Sequence, residues 1–326
     1  MKALVYTGPE SLALREVPDP VAGPGETLVG IRHSGICGSD MHAFLGHDER
    51  RPAPLILGHE ASGLVIGGPD DGRRVTINPL VTCGTCPACR AGKTNLCASR
   101  QIISMPPRDG AFAELVAIPT RNLVHLPDDA DLAQAALTEP LACGWHGVRL
   151  GLAALAQEAR DTRAVVLGGG AIGLGAALSL AARGALDITL VEPNTARRAT
   201  LDRQPQFRTA QTLPDGAFDL VIDGVGLAAT RSSACAAVRP GGMIVHIGLG
   251  EASGGLDVRR MTLQEITFIG TYTYTAQDFR DTAQAIFDRR FGALDWVESR
   301  SLEGGAAAFD DIRAGRTAAP KIMLTP

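Results

Sequence analysis

Residues 164–182 constrain the fold more than any other stretch. The run is nearly all apolar or glycine, and its length would suit a membrane span. It carries five glycines, however, and Gly168, Gly169 and Gly170 are consecutive. A buried strand, a glycine turn and a buried helix account for that composition, and a lipid-spanning helix does not. The surrounding pattern agrees. A helical run over 141–156 precedes a strand over 164–167, a helix over 171–183 and a strand over 188–191. Further strand candidates fall at 220–223 and 243–247, with helical stretches between. Strands alternating with helices imply a parallel doubly wound sheet. Beyond them lie helical stretches at 277–289 and 303–314 and a last strand over 321–324.

Ahead of Pro140 the rhythm differs. Short apolar runs at 3–6, 12–17, 27–32, 61–66, 74–77 and 112–118 are separated by clusters such as Gly23-Pro24-Gly25 and Gly67-Gly68-Pro69-Asp70. That spacing predicts an all-β domain. A length of 326 residues with 45% hydrophobic content can bury the two cores this requires. The charge balance, 31 − 35 = −4, argues against a nucleic-acid-binding domain, and no Lys/Arg block marks a membrane surface. The apolar run at the start ends at Thr7-Gly8-Pro9, too short for a signal peptide, so a cytoplasmic protein is expected.

Seven cysteines without a secretion signal argue against a disulfide framework. Four of them crowd together as Cys83-x2-Cys86-x2-Cys89-x7-Cys97, with Gly84, Pro87 and Gly92 interspersed. Two-residue gaps let the backbone wrap one ion, and four thiolates complete a tetrahedron with no open position. Structural zinc fits this pattern, and an iron–sulfur cluster takes the same four thiolates.

The run Gly168-Gly169-Gly170-Ala171-Ile172-Gly173 is a G-x-G-x-x-G that follows an apolar strand and opens a helix. That context makes it a dinucleotide fingerprint. Gly168 serves the tight turn, Gly170 the approach of the pyrophosphate, and Gly173 the close packing of helix on sheet. The N-terminus of the helix, with Ala171 and Ile172, faces the phosphates. Glu192 lies nineteen residues beyond Gly173. An acid there accepts hydrogen bonds from a ribose 2′-hydroxyl, which favours NAD over NADP; Arg197 and Arg198 nearby suit a 2′-phosphate and pull the other way.

Cys37-Gly38-Ser39-Asp40-Met41-His42, Gly58-His59-Glu60 and Thr138-Glu139-Pro140-Leu141 complete a series. With the cysteine cluster and the glycine turn, their order resembles the zinc-dependent medium-chain alcohol dehydrogenases over essentially the whole chain. The Glu139 form resembles the sorbitol, threonine and butanediol dehydrogenase branch. The resemblance implies an α/β protein: a GroES-like β domain (1–139 and 276–326) and a Rossmann doubly wound parallel-sheet domain (140–275). It implies two zinc ions, one structural and one catalytic. Cys37, His59 and Glu139 would hold the catalytic ion, with Glu60 nearby or as an exchangeable ligand and Asp40 orienting His59. An acid at Glu139 would also suit the start of a helix. Ser39 would take the substrate proton and pass it toward His42, and the substrate, a secondary alcohol, polyol or diol, would yield hydride to the cofactor. Lys321 would reach the cofactor phosphates, or be a surface lysine. A homodimer or homotetramer is implied.

Two departures from the family stand out. Gly270-Thr271-Tyr272-Thr273-Tyr274 has Thr273 where sorbitol dehydrogenases carry an Arg, leaving Tyr274 as the polyol contact. The loop 46–51 brings Arg50 and Arg51, able to recognise a carboxylate or phosphate or simply to be solvated. A non-catalytic dinucleotide-binding protein and a zinc-free quinone reductase on the same fold are the alternatives.

Overall fold

The computed structural model describes residues 1–326. The chain divides into two compact units, 1–139 with 275–287 and 297–326, and 140–274 with 288–296.

In the first unit the strand Glu26–Gly35 is central. It pairs antiparallel with Glu60–Ile66 and with Leu115–Pro119, and its far end meets Lys321–Thr325. Alternation along it turns Val29 and Ile31 into a core with Ala61, Val65, Val75, Ile77, Val116 and Ile118. The whole is a seven-stranded sheet accompanied by three-stranded and two-stranded sheets. A second core gathers Leu4, Tyr6, Phe44, Phe112 and Phe309. The aromatic rings of Phe44 and Phe112 both pack on Phe309, 5.2 and 6.0 Å between centroids.

Leu55–Ile56, Leu80–Val81, Gln101–Ile102, Leu123–His125 and Val297–Ser301 are strands with no counterpart among the runs read from the sequence. Val297–Ser301 pairs parallel with Lys321–Thr325, and the helix Gly305–Arg313 lies between them in sequence. The strand residues VESRS are polar after Val297 and none is buried, so no apolar alternation betrays it.

The second unit is a six-stranded parallel sheet in the order 208–210, 187–191, 163–167, 218–223, 238–246, 267–270. That 3-2-1-4-5-6 order is the doubly wound dinucleotide-binding arrangement. The central strands are buried on both faces, which explains why they read as unbroken apolar runs. The helices Thr138–Leu155 and Ala171–Ala182 meet backbone to backbone: a Cβ on Gly144 would lie 2.5 Å from Ala176 N.

Residues 288–296, expected in the first domain, group instead with the second. Phe291 packs edge-on against Trp145 at 5.8 Å, and Gln206 donates its side-chain N–H to Phe291 O at 3.0 Å. Aromatic packing on a buried tryptophan, invisible to a periodicity argument, decides this boundary.

Asp223, fully buried at the end of Phe218–Asp223, anchors the carboxyl edge of the sheet. Its Oδ1 accepts from Val225 N and Gly226 N, and its Oδ2 from Thr230 Oγ1 and His246 Nδ1. Burial opposes the charge, but these donors, His246 first, outweigh it and lower the carboxyl pKa. A depressed pKa contributes stability above the unfolded value of about 4, and that stability is lost as pH falls through the folded value. Asp223→Ala strands four donors and is expected to cost about 3 kcal/mol at neutral pH, the gap to wild type narrowing below about pH 4. The chain has two tryptophans, Trp145 and Trp296, both in this unit, so tryptophan fluorescence during urea unfolding at pH 7 and pH 3.5 reads it directly. Equal gaps at both pH values would refute the assignment.

Candidate active site and metal centres

Cys37 is the N-cap of the short helix Gly38–Phe44, and Asp40 in that helix turns back so that its Oδ2 accepts from Cys37 N at 3.0 Å. His59 and Glu60 stand where the strand Glu60–Ile66 begins. The Cys37 sulfur, a His59 ring nitrogen and a Glu60 carboxylate oxygen all lie within 4.8 Å of one another. Asp40 is fully buried, with Oδ1 3.3 Å from His59 Nδ1. Ser104 Oγ lies 3.3 Å from the same nitrogen. An ionised carboxylate only accepts, so Nδ1 carries the proton in the neutral ring and Nε2 is left with a bare lone pair. Burial opposes charge on the ring, but Asp40 and then Cys37 outweigh it and raise the His59 pKa well above its ordinary value. Asp40 is itself held below the carboxylate range: burial opposes, and His59 with Arg51 prevails.

Glu60 is fully buried. Its Oε1 accepts from Lys321 Nζ at 2.7 Å, while Oε2 has no partner. The thiol, the imidazole lone pair and the orphaned carboxylate oxygen are a donor set that fits zinc. Glu139, on the first turn of Thr138–Leu155, is 6% exposed and close enough to act on the Lys321 charge. A Cβ on Gly35, cross-strand partner of Glu60, would sit 2.1 Å from Glu60 Oε2. Gly35→Ala is therefore expected to displace that carboxylate and lower kcat/KM by about tenfold or more, with about 1–3 kcal/mol of destabilisation. Steady-state kinetics and a thermal melt check it; unchanged kinetics would show that the position of Glu60 is immaterial.

Lys321 is a correction. Its side chain is 3% exposed, its ammonium bonded to Glu60 Oε1 and to Ile36 O at 2.9 Å. Burial opposes its charge, but Glu60, Cys37 and Glu139 raise its pKa. The cation is buried beside the Cys37–His59 cluster, paired with Glu60, and is not a surface lysine. Arg51 is another: it is buried and directs four of its five N–H donors to Ser39, Asp48 and Ser104, so it is tied into the protein and does not face solvent as a substrate-binding arginine would. Arg50 is exposed and grips Asp48 at 2.8 Å. His42 is exposed, its ring edge-on to His47, while Ser39 is half-buried. Tyr274 is fully buried and so is a core residue. Ser104, facing His59, escaped the sequence reading; Ser104-Met105-Pro106-Pro107 carries no metal-site signature.

The second cluster is Cys83, Cys86, Cys89 and Cys97, also within 4.8 Å and without disulfides. Four sulfurs at zinc distance form a tetrahedron with edges of ~3.8 Å. The observed Cys83–Cys97 and Cys83–Cys89 separations, 3.5 and 4.0 Å, bracket that edge. Cys86 N and Cys83 N point at the sulfurs of Cys83 and Cys97. Such N–H donors favour thiolates: those of Thr85 and Cys86 lower the Cys83 pKa to about 6.

At the glycine turn, Gly168 has φ +94° and Gly170 caps the helix Ala171–Ala182 without a side-chain bond. A Cβ on Gly170 would meet nothing within 4 Å, so the space before the helix N-terminus is open to an anion. A Cβ on Gly173 would lie 1.8 Å from Gly168 O, which is why turn and helix need glycine there. Glu192 Oε2 accepts from Gly169 N at 3.0 Å and Oε1 from Asn194 N at 2.7 Å. Arg197 Nη1 pairs with Oε2 at 3.3 Å, and Arg198 reaches only backbone carbonyls. The cradle fits a dinucleotide.

Fold and site together define a two-domain zinc-binding dehydrogenase. Residues 23–128 match the alcohol dehydrogenase GroES-like domain, and residues 206–288 the zinc-binding dehydrogenase model. L-galactonate-5-dehydrogenase of Escherichia coli (strain K12) is 31% identical over 90% of this chain and 89% of its own length. L-idonate 5-dehydrogenase of Vitis vinifera is 29% identical over 82% and 78%. The structure of acetophenone reductase from Geotrichum candidum NBRC 4597 in complex with NAD superposes with a TM-score of 0.88 at 25% identity, covering 100% and 97%. The chain belongs to the zinc-dependent medium-chain alcohol dehydrogenase family, in its polyol-dehydrogenase branch. It is an oxidoreductase that works with zinc and a nicotinamide dinucleotide. No helix is long and apolar enough to cross a membrane.

Proposed function

We propose that the protein oxidises a secondary hydroxyl of a polyol, diol or sugar acid with NAD, holding one catalytic and one structural zinc. The observation that carries this is the convergence of the Cys37 sulfur, a His59 ring nitrogen and a Glu60 carboxylate oxygen, with Glu60 Oε2 unpartnered. As the family resemblance implies, Cys37, His59 and Glu139 hold the catalytic ion, and Glu60, the carboxylate that groups with the first two and is bonded to Lys321, is the exchangeable fourth ligand; the four clustered cysteines hold the other. Zinc, when bound, supplies the Lewis acidity that eases loss of the hydroxyl proton, and NAD accepts the hydride. Ser39 Oγ takes the proton and delivers it toward His42, whose exposure gives it solvent. Asp40 keeps the proton of His59 on Nδ1. The glycines 168, 170 and 173 with Ala171 and Ile172 bind the pyrophosphate. Sugar acids enter the substrate class through the galactonate and idonate dehydrogenases it resembles.

NAD is read from Glu192, whose carboxylate repels a 2′-phosphate although Arg197 offsets part of its charge. Glu192→Ala, which frees Arg197, is expected to shift the NADP/NAD ratio of kcat/KM toward NADP by roughly 10- to 100-fold, or 1.4–2.7 kcal/mol; an unmoved ratio refutes that role. A cytoplasmic homodimer or homotetramer is part of the same reading. The edge strand Thr267–Gly270 and the exposed Leu249, Val258 and Leu263 support the assembly, and sedimentation velocity tests it.

NADH formation by zinc-loaded enzyme over L-galactonate, L-idonate, xylitol, sorbitol, 2,3-butanediol, threonine and sugar-alcohol phosphates, with NADP in parallel, tests the whole. Chelator-sensitive turnover of a polyol, diol or sugar acid is expected. Turnover that survives removal of all metal refutes the mechanism.

A further inference from the structure

Arg51 has a buried side chain, 2% exposed. A buried guanidinium is tolerated where its donors are paired. Here Nε donates to Ser104 O at 3.0 Å and Nη2 to Ser104 Oγ at 3.3 Å. Nη1 donates to Ser39 O at 2.8 Å and to Asp48 Oδ2 at 3.3 Å. Ser104 holds φ at +73°, which residues other than glycine rarely adopt. One planar fork thus grips both the carbonyl and the hydroxyl of a residue in an unfavourable conformation. That hydroxyl faces His59 Nδ1 at 3.3 Å. The remaining carbonyl, Ser39 O, belongs to the first turn of Gly38–Phe44, and the next residue, Asp40, supplies the other acceptor facing Nδ1. Both groups that receive the His59 proton are therefore held, directly or through the helix turn, by the same side chain.

We infer that Arg51 is a positioning residue of the metal centre: it holds Ser104 and the Ser39–Asp40 turn so that His59 presents Nε2 to the ion. The inference rests on the metal reading above. Lysine cannot replace the fork, because one ammonium cannot span Ser104 O, Ser104 Oγ, Ser39 O and Asp48 together. The loop 46–51 acts here as a brace.

The test uses full-length zinc-loaded protein and follows zinc release to a chromogenic chelator, with circular dichroism as the check on folding. Wild type should release zinc in two phases, one of which His59→Ala abolishes. Arg51→Lys should speed that phase alone by about tenfold or more and lower kcat with little change in KM, since perturbing groups behind a ligand costs 10–100-fold. Ser104→Ala, which needs no buried charge rehoused, should speed the same phase to a smaller extent. Arg50→Ala, an exposed ion pair, should leave both phases unchanged. Acceleration of both phases together in Arg51→Lys and none in Ser104→Ala would mean general loosening and would overturn the positioning role, as would unchanged release in both variants. A wild type lacking any phase that His59→Ala removes would instead overturn the metal reading itself.

Discussion

His59→Ala is expected to lower turnover by about 10³-fold or more, some 4 kcal/mol of transition-state stabilisation, and, on the proposal of two zinc sites, to bring zinc from two equivalents per chain to one. The ring is the only ligand candidate in its cluster whose lone pair is set by two fixed acceptors, Asp40 Oδ1 and Ser104 Oγ. Its removal also leaves the buried Asp40 carboxylate without its imidazole partner, although Cys37 N and Gly58 N still donate to it. The four clustered cysteines share no residue with this centre, so their ion should stay. Metal analysis and kcat on the purified variant decide the matter. Two retained equivalents with more than a tenth of wild-type turnover would remove His59 from the reaction.

The second large effect is a contrast between two glycines three residues apart. Gly173→Ala would place a methyl carbon 1.8 Å from Gly168 O, and backbone cannot yield as a flexible side chain can. The helix Ala171–Ala182 must shift off the turn, so both stability and dinucleotide affinity should fall, the latter by about 100-fold or 2.7 kcal/mol. Gly170→Ala differs. Its φ of −71° suits alanine and its Cβ would meet nothing within 4 Å. It should fold like wild type yet fill space needed by the pyrophosphate, weakening affinity alone. Fluorescence titration with NADH and urea midpoints from the same preparations separate the two. Equal NADH affinity in wild type and Gly170→Ala would place the phosphates elsewhere.

The sequence reading succeeded wherever geometry is made by neighbours in the chain. The Cys83–Cys97 loop closes on itself through backbone N–H···S contacts between residues at most fourteen apart. The glycine turn binds Gly168 to Gly173 within one strand–helix junction. The buried central strands announced themselves as apolar runs because helices cover both faces of a parallel sheet. It failed where a residue's environment comes from distant chain. Val297–Ser301, a polar edge strand, shows no period-2 pattern. Arg51 reads as half of a solvated arginine pair until the Ser104 turn is folded against it.

Residue types and their order along the chain thus determined the family, the two domain classes, and the thiolate, imidazole and carboxylate chemistry, because local backbone rules and ligand spacing act within a few residues. Tertiary structure alone decided which charges meet. The antiparallel register sets Gly35 opposite Glu60 on one side and Met323 on the other. Side chains two apart on a strand share a face, so Lys321 falls beside Glu60, 261 residues away in sequence. No propensity or spacing encodes that pairing; it follows from strand register, which is selected by burying whole sheet faces at once.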